Sequence, residues 1–195
     1  MRCGTGRHCF RMEGPVAIHT PLTDDLCEAM HVGDRVVLSG HIYTARDAAH
    51  QRMIKALEED GPLPFALEGT VIFYAGPTPA KPGEIIGSIG PTTSGRMDLF
   101  TPVLLERGLK GMIGKGERSD EVRQAINRFK GVYFGAVGGI AALMARCIKD
   151  AVWIAYEDLG PEGVMRLSVV DLPLVVINDC HGGDLYEEAI QRYAR

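Results

Sequence analysis

Three short apolar runs that end in glycine constrain this chain most: "TVIFYAG" at 70–76, "GMIGKG" at 111–116 and "VYFGAVGG" at 132–139. An apolar run of this length, stopped by glycine, reads as a buried strand followed by a tight turn. The segments around them have a different period. "TARDAAHQRMIKALEEDG" (44–61) carries Ala45, Ala48, Ala49, Met53, Ala56 and Leu57 on one helical face, with Thr44 as the expected cap and Gly61 after the end. "SDEVRQAINRFKG" (119–131) has Ser119 as cap, acids in its first turn, Val122, Ala125, Ile126 and Phe129 facing inward, and Gly131 as its stop. Strands that alternate with helices give an α/β domain.

The remaining segments extend that pattern. "VAIHTPL" and "DRVVLSG" read as strands around a short helix at "DDLCEAM", and "EIIGSIG" as a short strand after a proline-rich turn. A helix ends at "LLERG"; either Ser94 caps it, or Thr101 caps a shorter one with Pro102 at its first position. "IAALMARCI" reads as a helix, and "AVWIAYE", "VMRLSVV" and "LPLVVIND" as three strands. With 195 residues, 46% of them apolar, the chain suits one domain: residues 1–14 are expected to be a disordered leader, with Met12 a candidate true start, and 15–195 a single unit.

Several classes of function fall away. A net charge of −4 does not indicate a nucleic-acid partner. No apolar window is long enough for a membrane-spanning helix, and the leader lacks the apolar stretch of a signal peptide. The five cysteines match no zinc or iron–sulfur spacing, so no metal ligand is assigned; Cys3, His8 and Cys9 in "CGTGRHC" could bind a metal, the alternative to a frayed terminus. Cysteines without a disulfide framework fit a cytoplasmic location.

Three loops at strand ends, 90–96, 114–116 and 135–139, have the composition to expose backbone N–H groups to an anion. Neither "GMIGKGE" nor "GAVGG" has the spacing of a phosphate-binding nucleotide motif. The cations at element ends are more informative. Arg46 lies in a first helical turn, where the macrodipole disfavours it and Asp47 offsets the cost. His50 is four residues on, on the same face and outside the apolar stripe. Arg96 closes the hydroxyl-rich "GPTTSGR", and Lys115 stands between two glycines. Each has a plain reading as a solvated side chain. Together they suit a small dicarboxylate, because arginine forks grip carboxylates with paired hydrogen bonds.

Five motifs in order, "YTARDAAHQR", "GPTTSGRMD", "GKGERS", "AVGGIAAL" and "YEDLGPEGV", resemble the beta subunit, or C-terminal domain, of class I iron–sulfur fumarate hydratase. The L-tartrate dehydratase beta subunit is its close relative. The resemblance implies a swivelling β/β/α three-layer domain. It also implies a hydro-lyase of the tricarboxylic acid cycle that hydrates fumarate reversibly to malate, active only with a cluster-bearing alpha subunit. That subunit, and not this chain, would ligate the [4Fe–4S] cluster, in a hetero-oligomer; alone, the chain would be a homodimer. By motif, Arg46, Arg96 and Lys115 correspond to substrate-carboxylate contacts, Thr92 to a proton-transfer residue, and His50 to an active-site histidine of the tartrate branch. Asp98 is expected to orient Arg96. His41 departs from the family pattern. The alternatives are a tartrate dehydratase beta subunit and a non-catalytic small-anion-binding domain.

Overall fold

A computed structural model describes residues 14–136 and 141–193. The leader, with Cys3, His8, Cys9 and Met12, lies outside the described residues, as does most of the glycine turn at 135–139.

The middle of the fold is built on three strands, β3 (Val71–Phe73), β4 (Gly111–Gly114) and β5 (Val132–Gly135), which run parallel. Their register aligns Ile72, Met112 and Tyr133 in one row and Phe73, Ile113 and Phe134 in the next. Successive side chains in a strand point to opposite faces. The first row therefore joins one apolar cluster and the second row another. Burial on both faces explains why these segments read as continuous apolar runs instead of alternating ones.

The second row faces a long antiparallel pair, β2 (Arg35–Thr44) and β7 (Val164–Asn178). β2 pairs with β3, and β7 with β5, so that β2–β3–β4–β5–β7 closes into a five-stranded mixed barrel. β1 (Val16–His19) adds to β2, and β6 (Ile148–Ala155) to β7. Inside lie Val36, Leu38, Ile42, Phe73, Phe134, Leu167, Leu174 and Val176, nearly all inaccessible to solvent. Each contributes roughly 1.5–3 kcal/mol by leaving water.

The first row faces helices α2 (Asp47–Glu58), α3 (Thr101–Glu106) and α4 (Asp120–Phe129), through Ala49, Met53, Leu104, Leu105, Val122, Ala125 and Ile126. α1 (Asp24–Ala29) and α5 (Ala141–Cys147) pack against the barrel core through Cys27 and Met144. α6 (Leu185–Tyr193) completes the described chain.

Some sequence expectations change. Thr44 does not cap α2: it is the buried end of β2, donating from Oγ1 to the Gly163 carbonyl and accepting from Met165 N–H. "EIIGSIG" forms no strand; Ile86 and Ile89 are buried within an irregular segment. "VMRLSVV" and "LPLVVIND" are one strand. Asp171 turns left-handed at φ 51° and its N–H goes to Ser39 Oγ, so β7 bends through Pro173 without stopping. At the contested helix start, Ser94–Met97 is a separate 3-10 turn and α3 begins after Phe100. Ser119 caps α4 as expected, but the left-handed residue at its end is Lys130.

Candidate active site

Strands β2 to β5 are parallel, so their C-terminal ends share one edge of the barrel. In open parallel sheets that edge collects ligands, because the chain leaves it through variable loops. Arg46 follows β2, Gly76 follows β3, Lys115 follows β4 and the glycine turn follows β5.

Loop 90–96 runs back over these ends. Thr92 N–H donates to the Tyr74 carbonyl at 2.7 Å, and Pro91 bridges to Ala75. Thr93 bridges to Lys115; Ser94 N–H donates to the Lys115 carbonyl at 2.9 Å. Buried Ser94 holds this register. Its Oγ accepts from Lys115 N–H at 3.1 Å and lies 2.9 Å from Tyr133 Oη, which itself donates to the Gly116 carbonyl at 2.9 Å. Tyr133 has one proton, so Ser94 must donate to it, and both buried hydroxyls are satisfied. Gly114 leaves room for this: a Cβ there would overlap Ser94 Oγ. The Thr92 and Lys115 segments are thus tied together by backbone bonds. Thr92 is half-buried and the Lys115 side chain is exposed.

Arg46 is the N-cap of α2 and has no capping side chain of its own. Glu162, from the "YEDLGPEGV" motif, caps the helix instead. Its Oε2 accepts from Ala48 N–H at 3.0 Å while its Oε1 lies 3.3 Å from Arg46 Nη2. The guanidinium also lies against Gly76, where a Cβ would sit 3.2 Å from Nη1. Arg96 stands on the 3-10 turn with its side chain half exposed, and its Nε lies 2.8 Å from Asp47 Oδ1.

That contact corrects the expectation for Asp98. Asp98 Oδ1 accepts from Arg118 Nε at 2.8 Å and its Oδ2 from Ser119 N–H at 2.6 Å, so it serves the buried Arg118 and the start of α4. Arg118 does not stand out in the sequence. Its position in "GKGERS" gives no sign that its side chain would be buried.

His50 is also not the surface residue its spacing suggested. It is wholly buried beside Ala49 and Met53, edge-on to Tyr74 at 5.4 Å and 6.0 Å from Phe100. Nδ1 lies 2.8 Å from the Arg46 carbonyl, which can only accept, so the proton sits on Nδ1. Nε2 is left as a buried lone pair without a partner. Burial lowers the imidazole pKa to about 4, and nearby Arg118 adds to the effect. No described hydrogen bond joins His50 to Thr92. His41, on the outer side of β2, is exposed and pairs with Ser168 Oγ at 3.1 Å.

The residues present do not fit an iron–sulfur cluster. Among the described residues no three His, Cys, Asp or Glu side chains gather as a ligand set. Cys27 and Cys180 are buried; burial pushes the Cys27 thiol up to about 12 and raises that of Cys180, the opposite of the thiolate a metal needs.

The family "Fumarase C-terminus" matches residues 10–189. The chain belongs to this fumarase C-terminal family. Its relatives include a putative L(+)-tartrate dehydratase subunit beta from Methanocaldococcus jannaschii, 39% identical over 173 residues, covering 86% of this chain and 89% of that one. They also include fumarate hydratase 1, mitochondrial, from Leishmania major, 38% identical over 177 residues, covering 89% of this chain and 32% of that one. The anaerobic class I fumarate hydratase of Escherichia coli is 33% identical over 181 residues, covering 91% and 33%. The fumarase C-terminal domain described here therefore spans about a third of the length of the fumarate hydratases it matches.

Proposed function

We propose that this chain is the beta component of a hydro-lyase that interconverts fumarate and malate at a site shared with a second chain. The observation that supports this most is the gathering of Arg46, Arg96, Lys115 and Thr92 on one barrel edge, with Asp47 2.8 Å from Arg96 and 4.0 Å from Arg46. Arg46, Arg96 and Lys115 hold the substrate carboxylates. Removing a proton from the carbon beside a carboxylate builds negative charge on that carboxylate, and fixed cations stabilise it most where water is excluded. Thr92 handles the proton. A hydroxyl is a weak base alone, so it needs an activating group: one from the partner chain, or His50, whose unprotonated Nε2 has no hydrogen-bond partner within this chain and would have to be brought to Thr92 in the complex.

The [4Fe–4S] cluster implied by the family resemblance has no ligand set among the described residues. A cluster-bearing alpha-type chain would hold it, and the domain would meet that chain as a swivelling β/β/α unit in the cytoplasm. The name of the Methanocaldococcus relative, a tartrate dehydratase subunit, favours L-tartrate as the second substrate to consider.

Anaerobic co-expression with such an alpha-type chain, followed by assays with fumarate, L-malate and L-tartrate, tests the reading. Turnover of fumarate and malate is expected. A cluster-loaded complex that turns over only tartrate moves the assignment to the dehydratase. One that turns over none of the three leaves a small-anion-binding domain and ends the catalytic reading.

A further inference from the structure

Asp47 is where the two candidate carboxylate-binding arginines meet. Its Oδ1 lies 2.8 Å from Arg96 Nε, and its Oδ2 lies 4.0 Å from Arg46 Nη2. The Arg96 contact is single, not a fork: Oδ2 is buried and has no hydrogen-bond partner. Both Nη groups of Arg96 are therefore left over, on a side chain that is half exposed. A guanidinium offers five N–H donors in a rigid plane. An ion pair at Nε leaves the other four donors available.

Both ends of the contact are themselves held. Asp47 is the first residue of α2, whose start is capped by Glu162 through Ala48 N–H, and a negative charge is favoured there by the helix macrodipole. Arg96 stands on a short turn tied to β4 through Ser94 and Lys115. Asp47 leaves one buried oxygen unpaired, and Arg46 Nε beside it is likewise unpaired. Such atoms are costly, and groups left in this state in a native fold call for a reason other than stability.

We propose that Asp47 is a positioning residue: it grips Arg96 by Nε and turns the paired Nη edge toward an incoming substrate carboxylate. This rests on the dicarboxylate reading above. The Asp47 charge also offsets the mutual repulsion of Arg46 and Arg96 before a ligand arrives, so that the pair stands ready with little rearrangement.

Two measurements test it. In the active complex, Asp47→Ala lowers kcat/KM about 10- to 100-fold, the scale of a misplaced binding group. Asp47→Asn, which keeps an oxygen for Nε but not the charge that offsets the two arginines, recovers part of that loss. In an Arg96→Met background the same Asp47→Ala change costs less than about twofold, because residues acting through one another are not additive. Equal losses in both backgrounds would overturn the proposal. The second measurement uses the full chain alone, labelled with nitrogen-15. The Arg96 Nε–H resonance is expected to be protected from exchange, to stay protected when L-malate is added, and to lose protection in Asp47→Ala. An unprotected resonance in the unsubstituted chain would refute the anchoring even if the complex is active. A complex silent on all three substrates, with the resonance protected, would instead sink the catalytic reading and leave the anchoring intact.

Discussion

Arg118 Nε lies 2.8 Å from Asp98 Oδ1, with the Arg118 side chain fully buried and its guanidinium carbon 5.4 Å and 5.0 Å from the ring centres of Tyr74 and Tyr133. Arg118 Nη2 also donates to Thr101 Oγ1 at 2.8 Å. The pair joins the turn carrying Arg96 to the loop carrying Lys115. Removing one partner of a buried ion pair strands the other charge. Asp98→Ala should therefore lose about 3–5 kcal/mol of stability in chemical denaturation. Asp98→Ala combined with Arg118→Met should lose less than Asp98→Ala alone, since no buried charge is then left unpaired.

His50 makes stability depend on pH. Its folded pKa is about 4, against an ordinary 6.5, so in that window the unfolded chain binds a proton that the folded chain refuses. Stability from this group is complete above pH 6.5 and is lost as pH falls toward 4, by up to about 3 kcal/mol. Denaturation midpoints measured from pH 7 to 4 should fall along that slope. His50→Gln should flatten it, at the cost of some stability at pH 7, because the residue is buried. An unchanged slope would mean that the imidazole is not the titrating group.

Arg96 should matter to reaction more than to folding. Its contact with Asp47 is partly exposed, so Arg96→Met should cost no more than about 1 kcal/mol in thermal melting. If its guanidinium holds the carboxylate on which charge builds, turnover of the complex should fall on the order of 100- to 1000-fold. Arg96→Lys should rescue only in part, since an ammonium lacks the planar fork. Near-normal kinetics for Arg96→Met would return Arg96 to the role of a turn-closing residue.

Gly114→Ala should be costly in a way that its open-looking sequence context does not suggest. The added methyl would collide with Ser94 Oγ and crowd the Tyr74 ring. Overpacking of this kind typically costs about 1–3 kcal/mol. Because Ser94 also fixes Lys115, turnover should fall in parallel. A Gly114→Ala/Ser94→Gly double variant should regain stability relative to Gly114→Ala.

The sequence by itself determined the strand–helix alternation, most element positions and the cations worth testing. Local signals suffice for those: an apolar run ended by glycine, a helical stripe, a serine cap before acids. It also carried the resemblance to the fumarase C-terminal family, whose model matches residues 10–189. Which charge meets which was decided only by the tertiary structure. Asp98 is two residues from Arg96 in the chain, yet it faces Arg118, and the partner of Arg96 is Asp47 from another element. Glu162 caps a helix 114 residues earlier in the chain. His50 falls outside the apolar stripe but inside the core, because α2 packs through a broader face than its alanines mark. The barrel itself needs β2 and β7, far apart in sequence, to pair along most of their length. Spacing along the chain carries local conformation. Ion pairs, burial and barrel closure depend on distances that exist only after the chain has folded.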